Sequence, residues 1–189
     1  MHRPHHRPWS TAGLVGLIGV LVLALAPVAT AQVTHVDDKK RDGVRILGQG
    51  TTGPSSAGDI RRVRVDHRPR TITVKVVPYR TERDNGVAAI YDVWVDTTGA
   101  GFPEYDIRWN LETDRVYVYR AGRFTVVEQL CSQPLGRFDF RTARLRVPRS
   151  CLGRPARLRV SVQASDNDAT VRSDWAPGFH RYGRWTRRG

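Results

Sequence analysis

The chain reads as an all-β protein, an antiparallel β-sandwich of about eight or nine strands, with a small closed β-barrel as the alternative. Three observations predict this. Apolar and polar residues alternate with a period of two through most of residues 59–174, turn residues recur at roughly ten-residue spacing, and no convincing amphipathic helix interrupts them. Sandwich and barrel share that alternation, so the pattern alone leaves both open.

Taken in order, the chain begins with an export signal at residues 1–31. His2, Arg3, His5, His6 and Arg7 form a basic head, Leu14 to Ala26 is almost wholly apolar, and Ala29-Thr30-Ala31 is a small-x-small cleavage site. The apolar run is about 13 residues, short of the roughly 20 that a membrane-crossing helix needs. No later stretch approaches that length, so the mature chain is expected to be secreted, extracellular and without a transmembrane segment. Residues 32–58 read as a flexible N-terminal arm, with a charge cluster at Asp37 to Asp42 and a Gly/Ser/Thr/Pro-rich stretch from Gly48 to Gly58. Val44, Ile46 and Leu47 are candidates for a short strand within it.

From Asp59 the strands follow one another. Ile60 to Asp66 alternates with arginines, and Thr71 to Val77 puts Ile72, Val74 and Val76 on one face. Ala89 to Asp96 has Tyr91, Val93 and Val95 on one side and Trp94 on the other, the pattern of a central strand covered on its second side. Tyr105 to Leu111 is the clearest strand, with Trp109 in phase with Tyr105 and Ile107 and so assigned to the core. Val116 to Tyr119, Phe124 to Val127, Phe138 to Phe140, Arg144 to Val147 and Arg157 to Ala164 complete the set. Pro134, Pro148 and Pro155 fall between these strands, where a missing N–H costs no ladder bond. Residues 175–189 form a basic, aromatic C-terminal tail, read as a last edge strand or as a patch for an anionic partner.

Cys131 and Cys151 are the two cysteines of the chain, and export to an oxidising exterior predicts one disulfide between them. Removing the leader leaves 29 basic residues against 18 acidic, a net charge of +11. Such a charge favours polyanions as partners through attraction that salt weakens. All the basic residues but Lys39, Lys40 and Lys75 are arginine, a skew that GC-rich coding produces without any ligand. Several arginines alternate with apolar residues, as in Arg62-Val63-Arg64-Val65, which places them on an outer sheet face.

Hydrolytic and nucleotide-binding motifs are absent: there is no GxSxG, HExxH, Walker loop or zinc-type Cys/His spacing. The mature chain has His35, His67 and His180, each alone in sequence, and the expectation is that it is not an enzyme. Asp166-Asn167-Asp168 is a run of oxygen donors that could form a weak Ca²⁺ site, and is equally a common turn sequence. Asp92 with Asp96 is a second acidic pair at a strand end. Trp94, Trp175, Tyr182 and Trp185 are the candidate ligand-binding aromatics, because sugar rings and bases stack on such side chains.

The segments Ser56-Ala57-Gly58-Asp59-Ile60, Asp92-Val93-Trp94-Val95-Asp96, Pro103-Glu104-Tyr105 and Ser150-Cys151-Leu152-Gly153 resemble those of a group of uncharacterised secreted proteins from high-GC Gram-positive bacteria, over residues 56 to about 175. More distantly, the order Gly-Asp-Ile, strand, strand, Val-x-Val-Asp is similar to the start of family 9-type carbohydrate-binding modules and DOMON-like sandwiches. That resemblance implies a sandwich with sugar as a candidate ligand. Relatives of that kind often carry acidic calcium ligands in the N-terminal segment; here no acid precedes Asp59 between Thr51 and Gly58, and no stacking residue carries over. The combined expectation is a secreted, monomeric, non-enzymatic binding or structural module for carbohydrate or an anionic cell-envelope polymer, without specific nucleic-acid binding. The alternative is an extracellular protein-interaction or inhibitor-like domain.

Overall fold

A computed structural model of the chain describes residues 32–39, 44–45, 59–79, 89–110, 115–134, 137–139, 142–166 and 172–189. The export signal at 1–31, most of the segment 40–58, and Asn167 and Asp168 of the calcium candidate lie outside the described residues, as does the side chain of Asp166. Two antiparallel sheets pack face to face as a sandwich, and they do not close into a barrel.

The smaller sheet has the order β1 (Gln32–Asp37), β3 (Ile60–His67), β4 (Thr71–Pro78), β10 (Thr142–Pro148), β9 (Arg137–Asp139). The larger runs β2 (Val44–Arg45), β12 (Arg172–Ala176), β11 (Arg157–Asp166), β5 (Ala89–Asp96), β6 (Tyr105–Asn110), β7 (Arg115–Gly122), β8 (Thr125–Pro134), and β13 (Thr186–Arg187) also pairs with β11. The core fills the space between them. Val63, Val65, Ile72, Val74, Val76, Leu145 and Val147 from the smaller sheet meet Tyr91, Val93, Val95, Ile107, Trp109, Val118, Val160 and Val162 from the larger, all buried. Each such side chain contributes about 1.5–3 kcal/mol by leaving water. In β3 the strict alternation breaks: a register shift between Ile60 and Arg62 sets Arg61 and Arg62 both outward, and keeps Ile60 and Val63 both inward.

The segment read as an arm supplies β1, which pairs with β3 from Gln32↔His67 to Asp37↔Arg62. Alternation there was hard to see because an edge strand buries little: Thr34 and Val36 face inward, and only Val36 joins the core. β12 also went unpredicted. Its inward positions are the buried Asp174 and Ala176, and Asp174 Oδ2 accepts the Ile60 backbone N–H at 2.6 Å, tying the two sheets at one corner. The disulfide Cys131–Cys151 ties another, joining β8 to the 3₁₀ turn Arg149–Leu152 that follows β10. Among the described residues, no helix is long and apolar enough to cross a membrane.

Candidate functional site

The outer face of the smaller sheet carries the cations. Pairing places Arg64 of β3 opposite His35 of β1 and Lys75 of β4, Lys75 opposite Arg144 of β10, and Arg144 opposite Arg137 of β9. One register row therefore crosses all five strands with a basic residue type at every position. Neighbouring strands are about 4.8 Å apart, so Arg64 with Lys75, and Lys75 with Arg144, lie well within a Debye length of each other. Like charges directly opposite destabilise a sheet. Among the described residues, none of the three has an ion-pair partner; of the acids on this face, Asp66 is engaged by Arg68 at 2.9 Å and Asp37 by Arg62. Arg146 and the hydroxyls of Thr71 and Thr73 complete a shallow trough of about 360 Å³ around the row. Strand register sets which of the chain's arginines share a row.

The outer face of the larger sheet is closed instead. Trp94 and Trp175 are 4% and 5% exposed, so neither offers a ring face to a ligand, and the expectation that they stack on sugar is corrected. Phe124 of the β7–β8 turn covers them, edge-on to Trp94 at 5.6 Å and to Trp175 at 5.8 Å, and the C-terminal segment closes over it with the His180 ring stacked on Phe124 at 3.8 Å. Tyr182 and Trp185 are half-buried, and their faces are taken by arginine. The Arg159 guanidinium lies 4.9 Å from the Tyr182 ring and 4.8 Å from Trp185, while Arg157 lies 4.3 Å from Trp185. Arg159 is itself fixed by Asp96, whose Oδ2 accepts from Nε at 2.9 Å and Nη2 at 2.7 Å. Burial pushes the Tyr182 phenol well up from its ordinary range. The tail thus covers an edge, with β13 paired to β11, and aromatic and cationic contacts hold it to that sheet.

Carboxylates take structural roles on that same face. Asp96 Oδ1 accepts the backbone N–H groups of Thr98 at 3.0 Å and Gly99 at 2.6 Å, and Glu104 Oε2 accepts that of Thr97 at 2.6 Å, so both acids cap the 97–103 loop. Pairing of β5 with β6 brings Asp92 and Asp106 together around Arg108, which binds Asp92 and lies 3.2 Å from Asp106. Burial, and then the neighbouring charge of Asp92, holds the Asp106 carboxyl well above the usual carboxylate range; burial raises Asp92 as well, against the pull of Arg108. The predicted pair Asp92 and Asp96 therefore separates between two different arginines. Among the described residues no group of three or more His, Cys, Asp or Glu could hold a metal ion. The three histidines also part company: His35 is exposed on β1, His67 is buried with Nδ1 3.4 Å from the Thr186 carbonyl oxygen, and His180 sits in the aromatic stack. Burial lowers the pKa of both His67 and His180.

The geometry defines a disulfide-stapled β-sandwich with one closed outer face and one cationic outer face. No family model matches the chain, and neither a curated protein nor a solved structure matches it.

Proposed function

We propose that this chain is an exported, non-enzymatic binding module that holds an anionic polymer of the cell envelope on the outer face of its smaller sheet. The observation that carries this reading is the cross-sheet row Arg64, Lys75 and Arg144, whose like charges stand opposite one another with no acid paired to them among the described residues. Such a row costs the fold stability and gains it back when a polyanion lies across the strands. The leader-like first 31 residues and the disulfide support a location outside the cell, where such polymers are found.

The test is the salt dependence of binding to an immobilised polyanion, comparing Lys75→Gln/Arg144→Gln with a charge-matched control, Arg120→Gln/Arg184→Gln, on the other sheet and the tail. Each cation that contacts a flexible polyanion contributes about 0.7 to the slope of log K against log salt. The row variant should lower that slope by about 1.4, and the control should leave it nearly unchanged. Equal loss in both variants would show that net charge, and not this face, holds the polymer.

A further inference from the structure

We infer that the polymer is an acidic polysaccharide, and that one of its neutral rings seats on Phe179 in the cleft beside the β1 end of the cationic row. This rests on the reading above and specifies its ligand. A cleft of about 520 Å³ lies between the end of β1 and the loop after β12, with Asp37, Asp38 and Lys39 on one wall and Pro177, Phe179 and Arg181 on the other. A volume of that size suits one sugar ring and its substituents.

Phe179 is 59% exposed and yet firmly supported. Its ring stacks on His180 at 3.8 Å, His180 stacks on Phe124 at the same distance, and Trp175 abuts Phe179 edge-on at 5.4 Å. A single exposed phenylalanine needs no explanation. A flat apolar ring fixed in place and flanked by hydroxyl-binding groups is the arrangement that accepts the C–H face of a pyranose. The cleft also joins the row. Asp37 follows His35 by two residues on the same outward face of β1, a rise of about 6.7 Å, and His35 is the register partner of Arg64.

Charge decides what can occupy each part. Asp37 is paired with Arg62 at 2.5 Å and Asp38 stands beside it, while Lys39 and Arg181 line the same cleft, so the cleft has no net charge to draw an acidic group and offers both acceptors and donors to hydroxyls. The row attracts acidic groups. A polysaccharide with acidic groups on only some of its residues satisfies both, with a neutral ring on Phe179 and charged ones across the strands. A nucleic acid would bring a phosphate with every base it stacked, into a cleft whose acids and bases balance and give it no net attraction.

The oxidised mature chain, Phe179→Ala, Phe179→Leu and Lys75→Gln/Arg144→Gln are titrated at low salt with three probes: an alternating uronic acid–hexosamine polysaccharide, inorganic polyphosphate and an oligodeoxythymidylate. Loss of one stacked ring is expected to weaken the polysaccharide about tenfold in Phe179→Ala, by analogy with stacked bases, and to leave polyphosphate within about twofold. Phe179→Leu should behave like Phe179→Ala, because the flat face is what is lost. The row variant should weaken both polymers. If Phe179→Ala binds the polysaccharide as the parent does while the row variant does not, the sugar seat is refuted and the anionic face stands. If Phe179→Ala weakens the oligonucleotide as much as or more than the polysaccharide, the occupant is a base and the assignment is overturned. If the row variant changes neither polymer, the underlying reading fails as well.

Discussion

Replacing Trp94 by Ala separates a structural tryptophan from a ligand-stacking one. The side chain is 4% exposed on the outer face of the larger sheet, edge-on to Phe124, with its Nε1 donating to Gln163 Oε1 at 3.4 Å. Large-to-small changes at buried aromatic positions cost about 3–5 kcal/mol. This site belongs to a satellite cluster with Ala121 and Trp175, walled by the half-buried Phe124 and Val126, so the β7–β8 hairpin can settle partly into the space. The low end of the range therefore applies, about 3 kcal/mol, and for a domain of this size it corresponds to a fall in melting temperature of about 9 °C. Calorimetry of the oxidised protein measures the fall, and retention on an immobilised polyanion should be unchanged because the cationic row lies on the other sheet. A melting temperature within about 2 °C of the parent, together with lost polysaccharide binding, would refute the burial argument.

The remaining expectations concern the staple, a buried acid and a close approach. Cys131→Ser/Cys151→Ser opens a loop of 20 residues and should lower stability by about 3 kcal/mol, read from denaturant unfolding of the variant against the oxidised parent. Asp106 has a raised folded pKa, so the folded state holds a proton that the unfolded state gives up above about pH 4, and its contribution to stability falls as pH rises through that window. Asp106→Asn should therefore raise the melting temperature at about pH 8 and change little at about pH 4; the opposite order of effects would mean that the ionised carboxylate stabilises the fold. Gly183 donates its N–H to the Val160 carbonyl at 3.0 Å, and a Cβ there would lie 2.5 Å from Val36 Cγ2. Gly183→Ala should cost about 1–3 kcal/mol and loosen β1, seen as faster amide exchange from Val33 to Asp37 than in the parent.

Side-chain alternation is a local property of a strand, and it was legible wherever a strand has one apolar face. Ile72, Val74 and Val76, or Ile107 and Trp109, could be assigned inward without knowing their partners. Trp94 was legible as an anomaly, a large apolar group on the wrong side of a central strand. What covers it was not, because the cover is Phe124 of the β7–β8 turn, itself held by the His180 ring of a segment some 80 residues after Trp94. β1 and β12 were illegible for a related reason: the first buries little, and the second is dominated by polar residues whose burial makes sense only once Asp174 has met the Ile60 N–H.

The candidate site divides the same way. That Arg64, Lys75 and Arg144 point outward follows from their place beside buried valines and leucine, and the excess of positive charge is plain from composition. That these three stand in one row depends on β10 pairing with β4 in a single register, and a shift of one residue would turn Arg144 into the core and Leu145 out of it. The sequence by itself therefore determined the strand class, the disulfide partners and the sign of the outer faces, all set by local period and by chemistry that needs no partner. Only the tertiary structure decided which cations become neighbours, which tryptophans lose their exposed faces and that Phe179 meets the end of β1, because those depend on long-range pairing between strands far apart in the chain.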